Sequence, residues 1–392
     1  MSETMLTDQE RAAFHPEITR DRALDYFFIF DNVPLQFVYR DKLIPGELSQ
    51  LEKRNKAITE TIWLEAYHQY LVANVVYAYF YRGPILQMPF LTHQFGASTF
   101  VAPKQESRKF FLTIEAVRTS FDAWMNSTGW KMADELRKNP PVASWLSLLN
   151  VPDRSVRIAS IMPVGNQVVL ELISTWTQDG VLEEAAWAAT LIYDKDGTVL
   201  QDRSYIDMSH WPSGRRYGQQ RQSAPQAKQP YRGAGVMGQF YHYHKSYQIN
   251  GTPTELEKRN ITFVEGAWLK ACNAGLNADV FQPERFRMQL PVQKCSCNMD
   301  IAKEIEAITK QAAPDRKMRL AFTYAKGNQV AAEGVVTWTE NGVAKESPFI
   351  SFLLVDQNGK VIRERRYFTL SNWAGADRIA ARLGLKQVEG MS

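Results

Sequence analysis

GELSQLEKRNKAITETIWLEA (residues 46–66) returns 205 positions later as GTPTELEKRNITFVEGAWLKA (residues 251–271). The two stretches align without gaps and share 10 of 21 positions, including the whole run Leu51-Glu52-Lys53-Arg54-Asn55, repeated as Leu256-Glu257-Lys258-Arg259-Asn260. A second block repeats as well. Residues 157–211 align gaplessly with 319–373 at 21 of 55 positions, through Gly165-Asn-Gln-Val168 and Gly327-Asn-Gln-Val330, Thr175-Trp-Thr177 and Thr337-Trp-Thr339, and Trp211 and Trp373. Self-similarity on this scale sets the organisation of a chain before any local reading, and here it reads as a tandem duplication.

Each copy reads as helix first and sheet afterwards. Ser49-x-x-Glu52 and Thr254-x-x-Glu257 are capping boxes, in which the hydroxyl accepts a backbone N–H and the glutamate reaches back to the cap. Leu51, Ile58, Ile62 and Ala66 then recur near helical spacing, as do Leu256, Phe263, Ala267 and Ala271, which predicts that these residues form the buried face. The later block consists of β-branched runs divided by Gly165-Asn166, Asp179-Gly180 and Asp196-Gly197. Its counterpart is divided by Gly327-Asn328, Asn341-Gly342 and Asn358-Gly359. Such dipeptides between strands are hairpin turns, so each copy is expected to be an α+β unit with a long antiparallel sheet.

The predicted domains are residues 1–211, with a helical insert at about 92–138, and residues 240–392. Between them, residues 212–239 form a basic Gly/Pro/Gln-rich linker, and no acidic residue occurs from 208 to 254. Arg215, Arg216, Arg221, Lys228 and Arg232 read as a solvated connector, RNA phosphate contact being the alternative. In the insert, Phe110, Ile114, Val117, Phe121 and Trp124 follow helical spacing, the pattern of a lid helix.

Composition narrows the classes. The 392 residues are 45% apolar and 22% charged, which excludes collagen-like, mucin-like and disordered chains and suits two or three domains. No stretch approaches the roughly 18–20 apolar residues of a membrane span, and the polar N-terminus is no signal peptide, so a soluble cytoplasmic protein is expected. Three cysteines make no disulfide framework, and Cys295-x-Cys297 has no second pair at zinc spacing. No metal or cofactor is expected. A net charge of +4 gives no electrostatic reason to expect nucleic acid. Phosphate loops, dinucleotide fingerprints, serine-hydrolase elbows and zinc-protease helices are absent.

The opening helix, the loop Asn277-Ala-Asp-Val-Phe281 and the closing strands resemble the nuclear transport factor 2-like superfamily, including its SnoaL-like branch. Those closing strands are Asp194-Lys-Asp-Gly-Thr-Val-Leu-Gln-Asp-Arg-Ser-Tyr205 and Asp356-Gln-Asn-Gly-Lys-Val-Ile-Arg-Glu-Arg-Arg-Tyr367. The resemblance covers both copies, about four fifths of the chain. It implies two cone-shaped units, each with helices packed in a strongly curved antiparallel sheet around an apolar pocket, forming an intrachain pseudo-dimer; the assembly would be a monomer or a homo-oligomer. It also implies chemistry of the isomerase, dehydratase, epoxide hydrolase, cyclase or formaldehyde-releasing lyase kind, mostly without cofactor. The epoxide hydrolase pattern is not kept. Strands 168–176 and 330–338 contain no arginine, and the closing Arg-Asp pair is replaced by Arg203-Ser204 and Arg365-Arg366.

Residues shared by both copies most simply serve the fold, which makes Trp176/Trp338, Glu171/Glu333, Arg203/Arg365 and Tyr205/Tyr367 scaffold candidates. Chemistry is expected where the first copy departs. Tyr77, Tyr79 and Tyr81 alternate and share one face of an extended strand, where phenols stack on an aromatic ring and orient its oxygens. Arg82 follows as a fixed cation for a phenolate or carboxylate. His93 opens the insert and is a candidate base; His68 reads as a helix-face residue. Asp207 and His210 stand where the second copy has Thr369 and Asn372. Asp25 and Asp31 lie in an aromatic segment that favours a neutral carboxyl, and Asp31 is taken as a binding residue. His242 and His244 alternate on a strand with no acidic partner near in sequence, which leaves metal binding as the lesser reading.

Together with the resemblance, these residues lead to the expectation of a cofactor-independent lyase of dehydratase or isomerase type acting on a small aromatic or phenolic compound. His93 or Asp207 would move a proton while Tyr79, Tyr81 and Arg82 stabilise developing negative charge. Release of formaldehyde from a lignin-derived diaryl compound is one specific form. The rival reading is a non-catalytic small-molecule-binding or adaptor protein on a pseudo-dimeric scaffold.

Overall fold

In the computed structural model the described residues are 18–20, 44–64, 86–88, 97–101, 155–178, 180–193, 197, 199–205, 207 and 251–385. The chain divides into two compact units, one of Glu47–Thr252 and one of Pro253–Ser392 together with Met1–Gly46. Both are α+β.

In the first unit a helix, α1 (Gln50–Ile58), precedes a six-stranded sheet. The strands are β2 (Leu86–Met88), β3 (Ala97–Val101), β4 (Ser155–Val164), β5 (Gln167–Gln178), β6 (Val181–Tyr193) and β7 (Val199–Tyr205), in the order β2-β3-β7-β6-β5-β4. The second unit has helices α2 (Glu255–Phe263), α3 (Leu269–Ala274), α4 (Met299–Ala312) and α5 (Ala376–Arg382). Its strands are β8 (Arg287–Leu290), β9 (Cys295–Cys297), β10 (Lys317–Lys326), β11 (Gln329–Glu340), β12 (Val343–Val355) and β13 (Val361–Tyr367). With β1 (Ile18–Arg20) they make a seven-stranded sheet in the order β1-β9-β8-β13-β12-β11-β10.

The meanders β4–β7 and β10–β13 match strand for strand, with 10, 12, 13 and 7 residues in each. Even their irregularities coincide. Register shifts fall between Ile158 and Ser160 and between Leu320 and Phe322, and again at Ile192/Tyr193 and Leu354/Val355. A bulge bends its strand and raises local twist, so both sheets turn at the same places. The expected hairpins form, and their glycines Gly165, Gly180, Gly327 and Gly342 have the positive φ that such turns require. Beyond the meander the units differ: β3, from the start of the insert, runs antiparallel to β7, whereas β8 runs parallel to β13.

The capping boxes form as expected, and each glutamate does more than cap. One oxygen of Glu52 accepts from the Ser49 amide at 2.8 Å and the other from the Gly165 amide at 2.8 Å. Glu257 repeats this with Thr254 at 2.7 Å and Gly327 at 2.8 Å. Both side chains are buried. A single carboxylate therefore satisfies the helix start and the first hairpin turn at once, fixing the helix against the sheet.

This changes the expected helix face. Ala267 is exposed and Leu256 and Phe263 are only partly buried, while Glu257, Asn260, Val264, Trp268 and Ala271 are buried. The inward stripe begins with two polar residues because both bond to the turn, Asn260 through Nδ2 to the Gly327 carbonyl at 3.3 Å. From Glu257 the buried positions keep helical spacing through Val264 and Trp268, which leaves Ala267 outside, and a π-helical turn spans Val264–Trp268 as it spans Thr59–Trp63 in the first unit.

Replacing Glu257 by Ala is expected to lower stability by about 2–4 kcal/mol, since it removes two charge-assisted bonds and leaves a buried amide unpaired. Urea unfolding of Glu257→Ala and Glu52→Ala checks this, and the two are expected to behave alike.

Candidate functional site

The helix-facing side of the first sheet is read from contacts. The Trp63 ring lies 6.5 Å from that of Trp187 on β6, and Thr59 Oγ1 is 2.7 Å from the Tyr193 hydroxyl. Trp187 donates from Nε1 to Ser174 Oγ on β5 at 3.0 Å. Thr59 also donates to the Asn55 carbonyl at 2.8 Å, so its one proton is committed and the Tyr193 hydroxyl is the donor between them. All five of these side chains are buried. Two indoles, a phenol and two hydroxyls thus meet where the helical turn Thr59–Trp63 packs on β5 and β6, with Thr59 bonded to Tyr193 and Trp187 to Ser174.

The equivalent surface of the second unit has Val264 for Thr59, Val336 for Ser174, Phe349 for Trp187 and Val355 for Tyr193. Its polar groups are gathered instead into an ionic cluster. Arg366 lies 2.7 Å from Glu364 Oε1 and 3.3 Å from Glu306 Oε1, and Arg316 lies 2.7 Å from Glu306 Oε2. Ser351 donates to Glu364 Oε1 at 2.9 Å, Trp268 Nε1 to Glu364 Oε2 at 3.4 Å, and Arg316 to the Cys272 carbonyl at 2.6 Å. Two cations and two anions balance. Burial alone would lower the affinity of Arg366 for its proton, but Glu364, Cys272 and Glu306 outweigh it and hold the guanidinium charged. Burial pushes the Cys272 thiol well up, against the pull of Arg366. The first copy has Ser204, buried, at the position of Arg366.

Of the sequence-derived site residues, Asp207 is described: it lies two residues beyond β7 and is buried. His93, Tyr81 and His210, the binding candidates Tyr77, Tyr79, Arg82 and Asp31, and also Asp25, His68, His242, His244 and the insert helix around Phe110–Trp124, lie outside the described residues. The scaffold candidates Trp176/Trp338, Glu171/Glu333, Arg203/Arg365 and Tyr205/Tyr367 are all buried. Cys295 and Cys297 are buried in β9 with free thiols, and among the described residues no cluster of His, Cys, Asp and Glu is arranged for a metal. No described helix is long and apolar enough to cross a membrane. Thr59, Ser174, Trp187 and Tyr193 escaped the sequence reading, which compared the copies for titratable gains. Comparing them for gained hydroxyls and indoles finds all four.

No family model matches the sequence, and no curated protein is a significant match. Solved structures are similar to part of the chain. A SnoaL-like polyketide cyclase from Jannaschia sp. CCS1 is 14% identical with a TM-score of 0.28, covering 32% of this chain and 99% of its own. An NTF2-like protein from Anabaena variabilis ATCC 29413 is 14% identical with a TM-score of 0.27, covering 30% and 95%. A protein of ketosteroid isomerase-like fold from Catenulispora acidiphila DSM 44928, in complex with trimethylamine, is 17% identical with a TM-score of 0.25, covering 34% and 95%.

The Cys272 environment makes a pH prediction. A thiol whose pKa is raised on folding keeps its proton in the native state where the unfolded chain has already lost it, so its contribution falls as pH rises past the ordinary thiol value. The stability difference between wild type and Cys272→Ala is therefore expected to shrink steadily above about pH 9, measured by urea unfolding across that range. In the native protein at pH 8, Cys272 is expected to resist a thiol reagent that labels it fully after unfolding.

Proposed function

We propose that the first unit is a cofactor-independent acid–base catalyst of dehydratase or isomerase type acting on a small aromatic or phenolic compound, and that the second unit is its structural partner. The observation that supports this is the divergence of two otherwise matching units. Where helix and sheet meet, the first has Thr59, Ser174, Trp187 and Tyr193 and the second has Val264, Val336, Phe349 and Val355. The two hydroxyls of Thr59 and Ser174, the Tyr193 phenol and the Trp187 indole occur on one copy alone, and they are the groups that support a polar aromatic ligand there. The second copy's titratable groups are spent on one another in the Arg366 cluster.

In this reading His93 or Asp207 is the base that removes a proton at a benzylic or carbonyl-activated carbon, with His210 as its alternative. Tyr77, Tyr79, Arg82 and Asp31 hold the substrate, and Tyr79, Tyr81 and Arg82 offset the negative charge that develops on its oxygen. A water leaves as the departing hydroxyl takes up a proton. Where the substrate is a lignin-type diaryl compound, the proton is taken instead from a hydroxymethyl O–H, its C–C bond breaks to release formaldehyde, and the electron pair expels the neighbouring benzylic hydroxyl as water.

The test is turnover of phenolic β-hydroxy and diarylpropane compounds by the metal-stripped protein, followed by ultraviolet absorbance and released formaldehyde. His93→Ala or Asp207→Asn is expected to lower kcat/KM by about 100-fold or more. Ser174→Val with Tyr193→Val, which gives the first unit the second unit's residues, is expected to abolish turnover with the fold retained by circular dichroism. Full activity in that double variant contradicts the assignment to the first unit. Absence of both turnover and binding of these compounds favours the adaptor role instead.

A further inference from the structure

The segment leading into α1 is held by a turn, and that turn is not in the copy to which the helix belongs. Residues up to Gly46 are part of the second unit. There the Ile44 amide donates to Asn328 Oδ1 at 2.9 Å, and the Asn328 amide donates to the Ile44 carbonyl at 3.1 Å. One bond is to the asparagine side chain and one to its backbone, so Ile44 is held at both its amide and its carbonyl by a single residue.

The turn is shaped for it. A Cβ on Gly327 would lie 1.7 Å from the Ile44 carbonyl oxygen and 2.8 Å from the Gly46 amide nitrogen, and Gly327 has φ +59°. A Cβ on Gly46 would lie 2.4 Å from the Lys326 side chain, 2.7 Å from Glu257 Oε1 and 2.7 Å from the Gly327 amide nitrogen. Two glycines thus face each other with no room for a side chain on either. Glu257 is the same carboxylate that caps α2 and binds the Gly327 amide. The other copy echoes this: Gly251, which precedes α2, belongs to the unit of residues 47–252, and a Cβ there would lie 3.1 Å from Glu52 Oε1 and 3.3 Å from the Gly165 amide nitrogen. The two leader segments share the pattern Ile-x-Gly, as Ile44-Pro45-Gly46 and Ile249-Asn250-Gly251.

We propose that the Gly327–Asn328 turn with Glu257 is a docking site for an extended Ile-x-Gly segment, and that its occupant is Ile44–Gly46, so the second unit is completed by residues that lead into the first unit's helix. The chain order would place a defect at Ile44 in the first copy. The docking contact places it in the second.

Residue-resolved hydrogen exchange on the full-length protein separates the two. Ile44→Pro removes the donated amide and leaves the turn glycine intact; it is expected to speed exchange of the Asn328 amide at least tenfold and to lower protection in β10–β13, leaving β4–β7 and the Gly165 amide unchanged. Gly327→Ala is expected to speed exchange at Ile44 and Asn328 together. Loss of protection in β4–β7 alone, or an Asn328 amide indifferent to Ile44→Pro, overturns the proposal. If Gly327→Ala does not fold, Ile44→Pro alone decides.

Discussion

A buried carboxylate at the third position of a helix, shared between the helix start and a hairpin turn, is the contact on which both units are built. Glu52 and Glu257 each present two oxygens to two backbone amides, one in the cap and one at Gly165 or Gly327. A carboxylate in the interior is tolerated only when its acceptors are used, and the turn residue it meets is in each unit a glycine, with no side chain in the way. Register follows from this point. With the turn fixed, Asn166 and Asn328 bond to the strand ends at Tyr193 and Val355, the latter through Nδ2 at 2.9 Å, so the first and third strands of each meander are tied to the same corner.

From that shared frame the copies part in opposite directions. The second unit fills its helix-facing side with valines and a phenylalanine and closes its charges into a balanced cluster around Arg366. Such a cluster contributes little net stability relative to well-packed apolar groups, yet removing one member strands the others. The first unit carries the paired indoles and the Thr59–Tyr193 hydrogen bond instead. Identical strand lengths and coincident bulges thus frame two different polar interiors, hydroxyls and indoles in one and a charged cluster in the other.

The sheet was legible because its signals are local. Asn-Gly and Asp-Gly dipeptides specify turns through backbone conformation, and the shared offset between copies fixes which turns correspond. The helix start was legible for the same reason. Its inward face was not, since a search for apolar spacing passes over Glu257 and Asn260, whose burial is explained by a turn some seventy residues away. The parallel placement of β8 against β13 was likewise invisible, because pairing between distant strands leaves no local trace. Among candidate site residues, titratable gains such as Asp207 were easy to see. Thr59 and Ser174 were hidden by their ordinariness and become conspicuous only beside Val264 and Val336.

The central claim is that one interior is a ligand site and the other is closed. Fluorescence titration with 2-naphthol, a small phenol, measures this as stoichiometry and as its response to variants. The account predicts one site per chain, lost in Tyr193→Val and kept in Val355→Tyr. Two equivalent sites, or a single site unaffected by Tyr193→Val, would contradict it.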